Sequence, residues 1–211
     1  MWETVFYAFV AFLVILDPPG TAAIFAAMTR TIAPHHRKIM AKRAIVMAGM
    51  MLFAFALAGE ALLSALGISL AAFRIAGGIL LFLLATDMVF ARQSGLRSIT
   101  PSEDAEAAER EDLTVFPLAF PLIAGPGAMT SVVLMMGRAH GDPLTAIGVL
   151  AVLAVVLVML LVMLLASGPL VEKLGITGAH VLSRVLGIIL AALAAQFVID
   201  GLRQALPGLA A

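Results

Sequence analysis

Proline and glycine occur together at two places where this chain is otherwise apolar, and both places carry residue types suited to binding small charged groups. The first motif is Asp17-Pro18-Pro19-Gly20-Thr21, and the second is Gly125-Pro126-Gly127-Ala128, followed by Thr130. Proline lacks an amide N–H and glycine tolerates almost any backbone angles, so each motif predicts an interrupted helix. A helix that restarts after an interruption offers unpaired N–H groups and a positive dipole end to an anion such as a carboxylate.

The same motifs also offer groups that attract positive charge. Carbonyls released by the prolines are acceptors for an ammonium group or a cation, and Asp17 adds a negative charge. Three roles stay open for Asp17: binding a solute, carrying a proton, or capping the restarted helix. Opposite charges a few ångströms apart suit a zwitterion, so we predict a site for a small-molecule solute. Its candidate residues are Asp17, Pro18, Pro19, Gly20, Thr21, Gly125, Pro126, Gly127, Ala128 and Thr130.

A purely structural interpretation of the two motifs stays open beside the binding one. Proline and glycine often only kink membrane helices, and small residues often form the surface on which helices pack. A matched pair of interruptions, one in each half of the chain, favours a binding site between two repeats.

Composition places these motifs in a membrane protein. The chain has 211 residues, of which 63% are hydrophobic and 12% charged, whereas soluble domains are roughly half apolar and a quarter charged. Its formal net charge is zero and it has no cysteine, which argues against nucleic-acid binding and excludes disulfides and thiolate metal sites. Neither a phosphate-binding G-x-x-x-x-G-K-[ST] loop nor an H-E-x-x-H motif occurs. We therefore expect no enzyme activity, no cofactor and no metal site.

Six apolar stretches are each long enough to cross a bilayer, which takes roughly 20 helical residues. They cover residues 5–28, 44–66, 70–91, 113–137, 144–166 and 181–202. The fold class is therefore predicted as all-α with six transmembrane helices. About 12 residues precede each motif in its span, or roughly 18 Å of helix, so both interruptions are predicted near the midplane.

The two halves of the chain share an order of features. Each has an interruption, an apolar span, a Leu-Gly-Ile link and then Arg-x-x-Gly, seen at 66–69 and 174–177 and at 74–77 and 184–187. Three spans per half is an odd number, so the second half must enter from the opposite side and the repeats are predicted to be inverted. The predicted parts are a first repeat over 1–91, a polar cytoplasmic linker over 92–112 and a second repeat over 113–211.

Lysine and arginine predict the orientation, because they concentrate on the cytoplasmic side of membrane proteins. The links after the first, third and fifth spans carry most of these residues. Both termini are therefore predicted to lie outside, in the periplasm or extracellular space.

A few polar residues inside or beside the spans need a reason to be there, since ionisable groups in the membrane are costly. Asp87 and Asp200 are predicted near span ends with interfacial exposure. Candidate gate or coupling residues are Glu60, Arg74, Arg184 and Gln196. For Arg74 and Arg184 the structural alternative is anchoring of a helix end, and for Glu60 it is a pair with Arg74 or snorkelling to the outer surface. Whether Gln196 contacts a ligand stays open.

The motifs Asp17-Pro18-Pro19-Gly20 and Pro121-Leu122-Ile123-Ala124-Gly125-Pro126-Gly127, with six spans over the whole chain, resemble the MarC family of integral membrane proteins. The resemblance implies a place among the LysE-type exporters, a bacterial-type inner membrane and transport of small neutral amino acids. We thus expect a secondary transporter of a small polar solute, with a proton or sodium ion as coupling partner, the bilayer as its surroundings and a homo-oligomer left open. A passive channel is the main alternative.

Overall fold

The computed structural model describes residues 1–90, 114–139 and 142–206, without side chains at 168–177, 179 and 180. Its described residues form helices and connections, with no strand among them, which confirms the all-α prediction for that part of the chain. The predicted cytoplasmic linker over 92–112 lies outside the described residues. The helices are α1 (Trp2–Leu16), α2 (Pro18–Met28), α3 (Pro34–Ala65), α4 (Leu70–Phe90), α5 (Thr114–Ile123, a π-helix with non-helical backbone at two residues), α6 (Pro126–Arg138), α7 (Pro143–Leu165) and α8 (Ser167–Ala205).

Within the described ranges the structure contains five or six candidate membrane spans. Five are Trp2–Met28, Pro34–Ala65, Leu70–Phe90, Pro143–Leu165 and Val181–Ala205. The sixth is the pair α5 and α6, which meet at an angle of 53°. The predicted number of spans therefore agrees with the count in which the bent pair is one span.

Several helix boundaries follow directly from proline and glycine. Four helices, α2, α3, α6 and α7, have proline in the first turn, where its missing N–H removes no helical hydrogen bond. Gly67, with φ of 70°, follows the end of α3, and the hydroxyl of Ser69 accepts a hydrogen bond from the Ala72 N–H (3.1 Å) at the start of α4. The tight link predicted between the second and third spans is thus present.

Two predicted links are helical in the structure. Residues 174–177, the expected counterpart of the Gly67 link, lie inside α8, so the prediction of a link there was wrong. Most of the basic stretch after the first span lies inside α3, which begins at Pro34 rather than at residue 44. Both helices begin before their apolar stretch, since a polar segment outside the membrane can also be helical.

Close backbone contacts hold α4 against α8 in an antiparallel arrangement. A Cβ added to Gly78 would lie 2.8 Å from the carbonyl oxygen of Ala194, and one added to Gly201 would lie 3.0 Å from that of Ala71. Small residues permit such approach between membrane helices, where packing replaces the hydrophobic effect as the driving force. The pair α4 and α8 forms the most extensive helix contact of the described residues, and the two interrupted spans pack beside it.

Candidate functional site

The first motif interrupts the helix at a single residue. Helix α1 ends at Leu16, α2 begins at Pro18, and Asp17 between them has a left-handed backbone with φ of 43° and ψ of 66°. Aspartate is one of the few residues other than glycine that tolerates this conformation. The Asp17 N–H still donates to the Leu13 carbonyl (3.1 Å) and its carbonyl accepts from Thr21 (2.8 Å). The interruption is therefore local, inside one continuous span.

The side chain of Asp17 is held from two directions. It is 1% exposed, and its Oδ1 accepts hydrogen bonds from the Gly20 N–H (3.2 Å) and from the hydroxyl of Ser183 on α8 (3.2 Å). The bond from Gly20 is an N-cap, and the positive end of α2 favours the carboxylate. Capping, one of the three roles predicted for Asp17, is thus part of the observed geometry, and Ser183 is a partner that the sequence did not reveal.

Gly20 and Thr21 are fitted tightly around this carboxylate. A Cβ on Gly20 would overlap Oδ2 of Asp17 and the hydroxyl of Ser183, so only glycine permits this approach. The Thr21 hydroxyl donates to the Leu16 carbonyl (2.8 Å) across the interruption. Pro18, Pro19, Gly20 and Thr21 are all buried.

The second motif is built differently. Phe116 and Phe120 within α5 have extended backbone angles, Gly125 is extended with φ of −71° and ψ of 170°, and α6 begins at Pro126 without a side-chain cap. The Thr130 hydroxyl donates to the Pro126 carbonyl (2.8 Å) within α6. A Cβ on Gly125 would overlap the Pro121 carbonyl oxygen, so glycine is again needed for close approach.

A small cavity of about 20 Å³ lies at this second interruption. Its walls include Ile15 of α1, close to Asp17, and Leu84 of α4, together with the segments 121–123 and 125–128. A volume of this size holds roughly one water molecule. The end of α1, two residues before Asp17, therefore borders the second interruption, and this cavity is too small for a solute in this conformation.

A second polar cluster lies at the end of the bundle where α6 and α8 finish. Arg138 donates to Asp200 (Nη2 to Oδ2, 2.8 Å), and Gln196 donates to the other oxygen of Asp200 (2.7 Å). The Arg138 guanidinium also lies 4.3 Å from the ring centre of Tyr7 and 5.8 Å from that of Phe197. An arginine held by a carboxylate and aromatic rings is fixed in both charge and orientation.

Beyond this cluster, a larger cavity of about 680 Å³ opens at the same end. Arg74 Nη1 donates to the side-chain oxygen of Gln204 (3.2 Å) at this cavity. Its walls are Glu60, Leu70, Arg74, Gly137, Asp200, Arg203 and Gln204.

Of the four predicted gate or coupling residues, the structure brings three to this end. Glu60 and Arg74 line the cavity and Gln196 binds Asp200, whereas Arg184 is exposed elsewhere on α8. Sequence reasoning missed Arg138 as the partner of Asp200, whose carboxylate lies near the end of its span and is paired with Arg138. The available signal was that both charges end spans on the same predicted side.

The fold and these polar sites define a polytopic α-helical membrane protein. The chain belongs to the MarC family of integral membrane proteins, whose family model matches residues 2–206.

Three relatives illustrate the similarity, which covers nearly the whole chain. A UPF0056 membrane protein of Archaeoglobus fulgidus is 36% identical over 201 residues, covering 95% of this chain and 93% of the relative. The UPF0056 inner membrane protein YhgN of Escherichia coli K12 is 31% identical over 201 residues, covering 95% and 97%. The UPF0056 membrane protein YvbG of Bacillus subtilis 168 is 29% identical over 210 residues, covering 98% of both chains. No solved structure was found to match.

Proposed function

We propose that this MarC-family protein is a secondary transporter of a small polar solute, for which a small neutral amino acid is the expected chemistry. The observation that carries the proposal is the buried carboxylate of Asp17 at a helix interruption, next to a second interruption in the other half of the chain. An ionisable group in a membrane span is costly and marks a substrate or ion pathway.

The two interruptions complement the two ends of a zwitterion. The start of α6 has N–H groups without a side-chain cap, which suits a carboxylate. Asp17 supplies the negative charge that suits an ammonium group, a proton or a sodium ion. Since the cavity there is only about 20 Å³, solute binding requires the helices to move apart, which is the behaviour of a carrier.

Inverted repeats provide a route to that movement. Exchanging the two halves pairs most of the extensive helix contacts with another: α1 and α2 pack on α7 as α5 and α6 pack on α3, and α4 packs on α6 as α8 packs on α2, whereas the packing of α1 on α6 and α8 has no equally extensive counterpart. The contacts of α4 with α8 and of α3 with α7 map onto themselves. This pattern supports two halves related by an internal axis, with the interruptions near the midplane and alternating access by rocking of one half against the other.

The expected setting is the inner membrane, with both termini outside and a proton or sodium gradient as the energy source. The relative YhgN is named as an inner membrane protein, which supports the location. The distribution of lysine and arginine supports the orientation.

Flux into proteoliposomes tests the proposal. Purified protein is reconstituted and uptake of radiolabelled glycine, alanine, serine and threonine is measured with no gradient, with a proton gradient and with a sodium gradient. Saturable uptake and counterflow by preloaded unlabelled solute are the expected results. Linear, non-saturating flux without counterflow would instead indicate a pore, and flux equal to that of empty liposomes for all four solutes would contradict the amino-acid proposal.

A further inference from the structure

The Arg138–Asp200 pair lies between the larger cavity and the interior of the bundle. Asp200 lines that cavity together with Gly137, the neighbour of Arg138. On the inward side, Arg138 covers the rings of Tyr7 and Phe197, whose centres are 6.5 Å apart. The pair and the two rings therefore separate the cavity from the helices below.

The same helices lead from this cluster to the first interruption. Along α1, Tyr7 is about 15 Å from Asp17, and along α8, Phe197 is about 21 Å from Ser183, at 1.5 Å per residue. Because Ser183 binds Asp17, α1 and α8 both extend from the cluster to the buried carboxylate, and we take the line between these two ends as the candidate path.

A polar group on α6 lies along this path. Ser131 is seven residues before Arg138, which places it on the same face of α6 and about 10 Å deeper. Its side chain is fully buried, and its hydroxyl has no hydrogen-bond partner among the described residues. Because a buried hydroxyl without a hydrogen-bond partner is unfavourable, this serine favours a path that takes up water or solute in another conformation.

We propose that Arg138 and Asp200 form a closed gate between the larger cavity and the path to Asp17, and that a solute carboxylate opens it by replacing Asp200 on Arg138. In the closed state, Asp200 accepts the hydrogen bond from the Arg138 guanidinium that an incoming carboxylate would accept. Arginine binds either carboxylate with the same planar donors. Arg138 therefore has a negatively charged partner both before and after the exchange. Asp200 retains Gln196 as a donor after the exchange.

The solute part of this inference rests on the proposed function, whereas the gate does not. The cavity is much larger than a small amino acid and is lined by both signs of charge, from Arg74 and Arg203 and from Glu60 and Asp200. It therefore suits a zwitterion before the gate opens.

Cysteine accessibility tests the gate without any transport assay, because the chain has no native cysteine. A Ser131→Cys reporter in proteoliposomes is treated with a membrane-impermeant cationic methanethiosulfonate, and the reaction rate is followed by labelling of the remaining thiols. The reaction is expected to be slow. Adding Asp200→Asn, which removes the ion pair at constant size, is expected to raise the rate at least about tenfold.

Asp142→Asn is the matched control, since it makes the same charge change at the exposed start of α7, outside the pair and the cavity lining, and it is expected to leave the rate unchanged. The exchange Arg138→Asp with Asp200→Arg is expected to restore slow labelling, which a general loosening of the fold would not do. Arg138→Gln breaks the same pair from the other side if Asp200→Asn does not give a monodisperse protein. An unchanged rate in both single variants, or an equal rise with Asp142→Asn, would overturn the gate.

A separate measurement tests whether a solute carboxylate opens the gate. A mixture of glycine, alanine, serine and threonine is expected to raise the labelling rate of the Ser131→Cys reporter, and a mixture of the corresponding amino-acid amides, which lack the carboxylate, is not. Equal effects of the two mixtures, or none from either, would overturn carboxylate exchange while leaving the accessibility result for the gate intact.

Discussion

Both helix interruptions contain proline and glycine, but one surrounds a carboxylate closely and the other leaves a small cavity. At the first, Asp17 departs from the helix for a single residue and polar groups of α2 and α8 close around its carboxylate. At the second, residues around Gly125 leave the helical conformation, the chain bends by 53°, and a small cavity remains whose lining residues carry no charged side chain. Proline and glycine determine that a helix stops, whereas the nearby side chains determine whether the interruption holds charge or space.

The largest expected effect comes from removing the charge at the first interruption. Asp17→Asn keeps an oxygen that can accept from Gly20 and Ser183 but loses the negative charge. Uptake in proteoliposomes is expected to fall at least about tenfold, which corresponds to roughly 1.4 kcal/mol, while the size-exclusion profile stays that of the wild type. Wild-type uptake with an unchanged pH dependence would show that Asp17 serves only as a cap.

Asp142 offers a matched control for that change, because it also precedes a proline and caps a helix. Its carboxylate accepts from the Leu144 N–H (3.1 Å) at the start of α7, outside the spans. Asp142→Asn is expected to leave uptake unchanged. A comparable loss in both variants would mean that helix capping, and not the buried charge, limits transport.

Glycine substitutions compare the free space at the two interruptions. Gly20→Ala forces a methyl group into Asp17 and Ser183, and we expect a loss of about 1–3 kcal/mol in stability. Gly127→Ala meets the flexible end of Leu81 at 2.9 Å beside the small cavity, so a loss under about 1 kcal/mol is expected. Thermal midpoints in detergent measure both, and a larger loss from Gly127→Ala would reverse the contrast.

Threonine substitutions give a smaller difference. The Leu16 carbonyl lies at the end of α1, and the Gly20 N–H that would be its helical partner binds Asp17 instead, so the Thr21 hydroxyl satisfies it. Thr21→Val is expected to cost about 1 kcal/mol. Thr130→Val removes a hydrogen bond to the Pro126 carbonyl, which already belongs to the backbone hydrogen-bonding pattern of α6. This substitution is therefore expected to leave stability nearly unchanged. Equal shifts in thermal midpoint would contradict this account.

The smallest effect is a pH dependence at Asp142. A hydrogen bond from the Thr145 hydroxyl, together with the bond from the Leu144 N–H, lowers the pKa of Asp142 below its ordinary value of 3.8. A lowered folded-state pKa contributes stability above the unfolded value, and this contribution is lost as the pH falls through the folded value. The difference in thermal midpoint between wild type and Asp142→Asn should therefore be constant from neutral pH to about 4 and shrink below it. Because the carboxylate is fully exposed, solvent keeps the effect small.

Much of the fold was readable from local sequence. Apolar length predicted the spans, and proline and glycine predicted that a helix restarts at each motif and that a tight link follows α3, although α2 and α6 begin at Pro18 and Pro126, two to three residues before the expected restarts near Thr21 and Ala128. The same local reasoning failed at 174–177, where a Leu-Gly-Ile string that resembles the first link continues as helix. A glycine permits a turn but does not require one, so such a string predicts a link only weakly.

The polar pairs were not readable in this way. Ser183 is far from Asp17 in the chain, as Asp200 is from Arg138, and each of these residues taken alone looks like an ordinary helix surface or span end. Packing of α2 on α8 brings the first pair together, and packing of α4 against both α6 and α8 brings the second pair together, through small residues that many other positions also carry.

The sequence by itself determined that this is a helical membrane protein, where its spans lie and where two of them are interrupted, because hydrophobic length and backbone freedom are properties of residues and their neighbours. Only the tertiary structure decided that Asp17 is held by Ser183, that Arg138 binds Asp200 above Tyr7 and Phe197, and that the second interruption borders a cavity. The physical reason is that hydrogen bonds and ion pairs form between whichever side chains helix packing brings within about 3 Å, regardless of their separation in the chain.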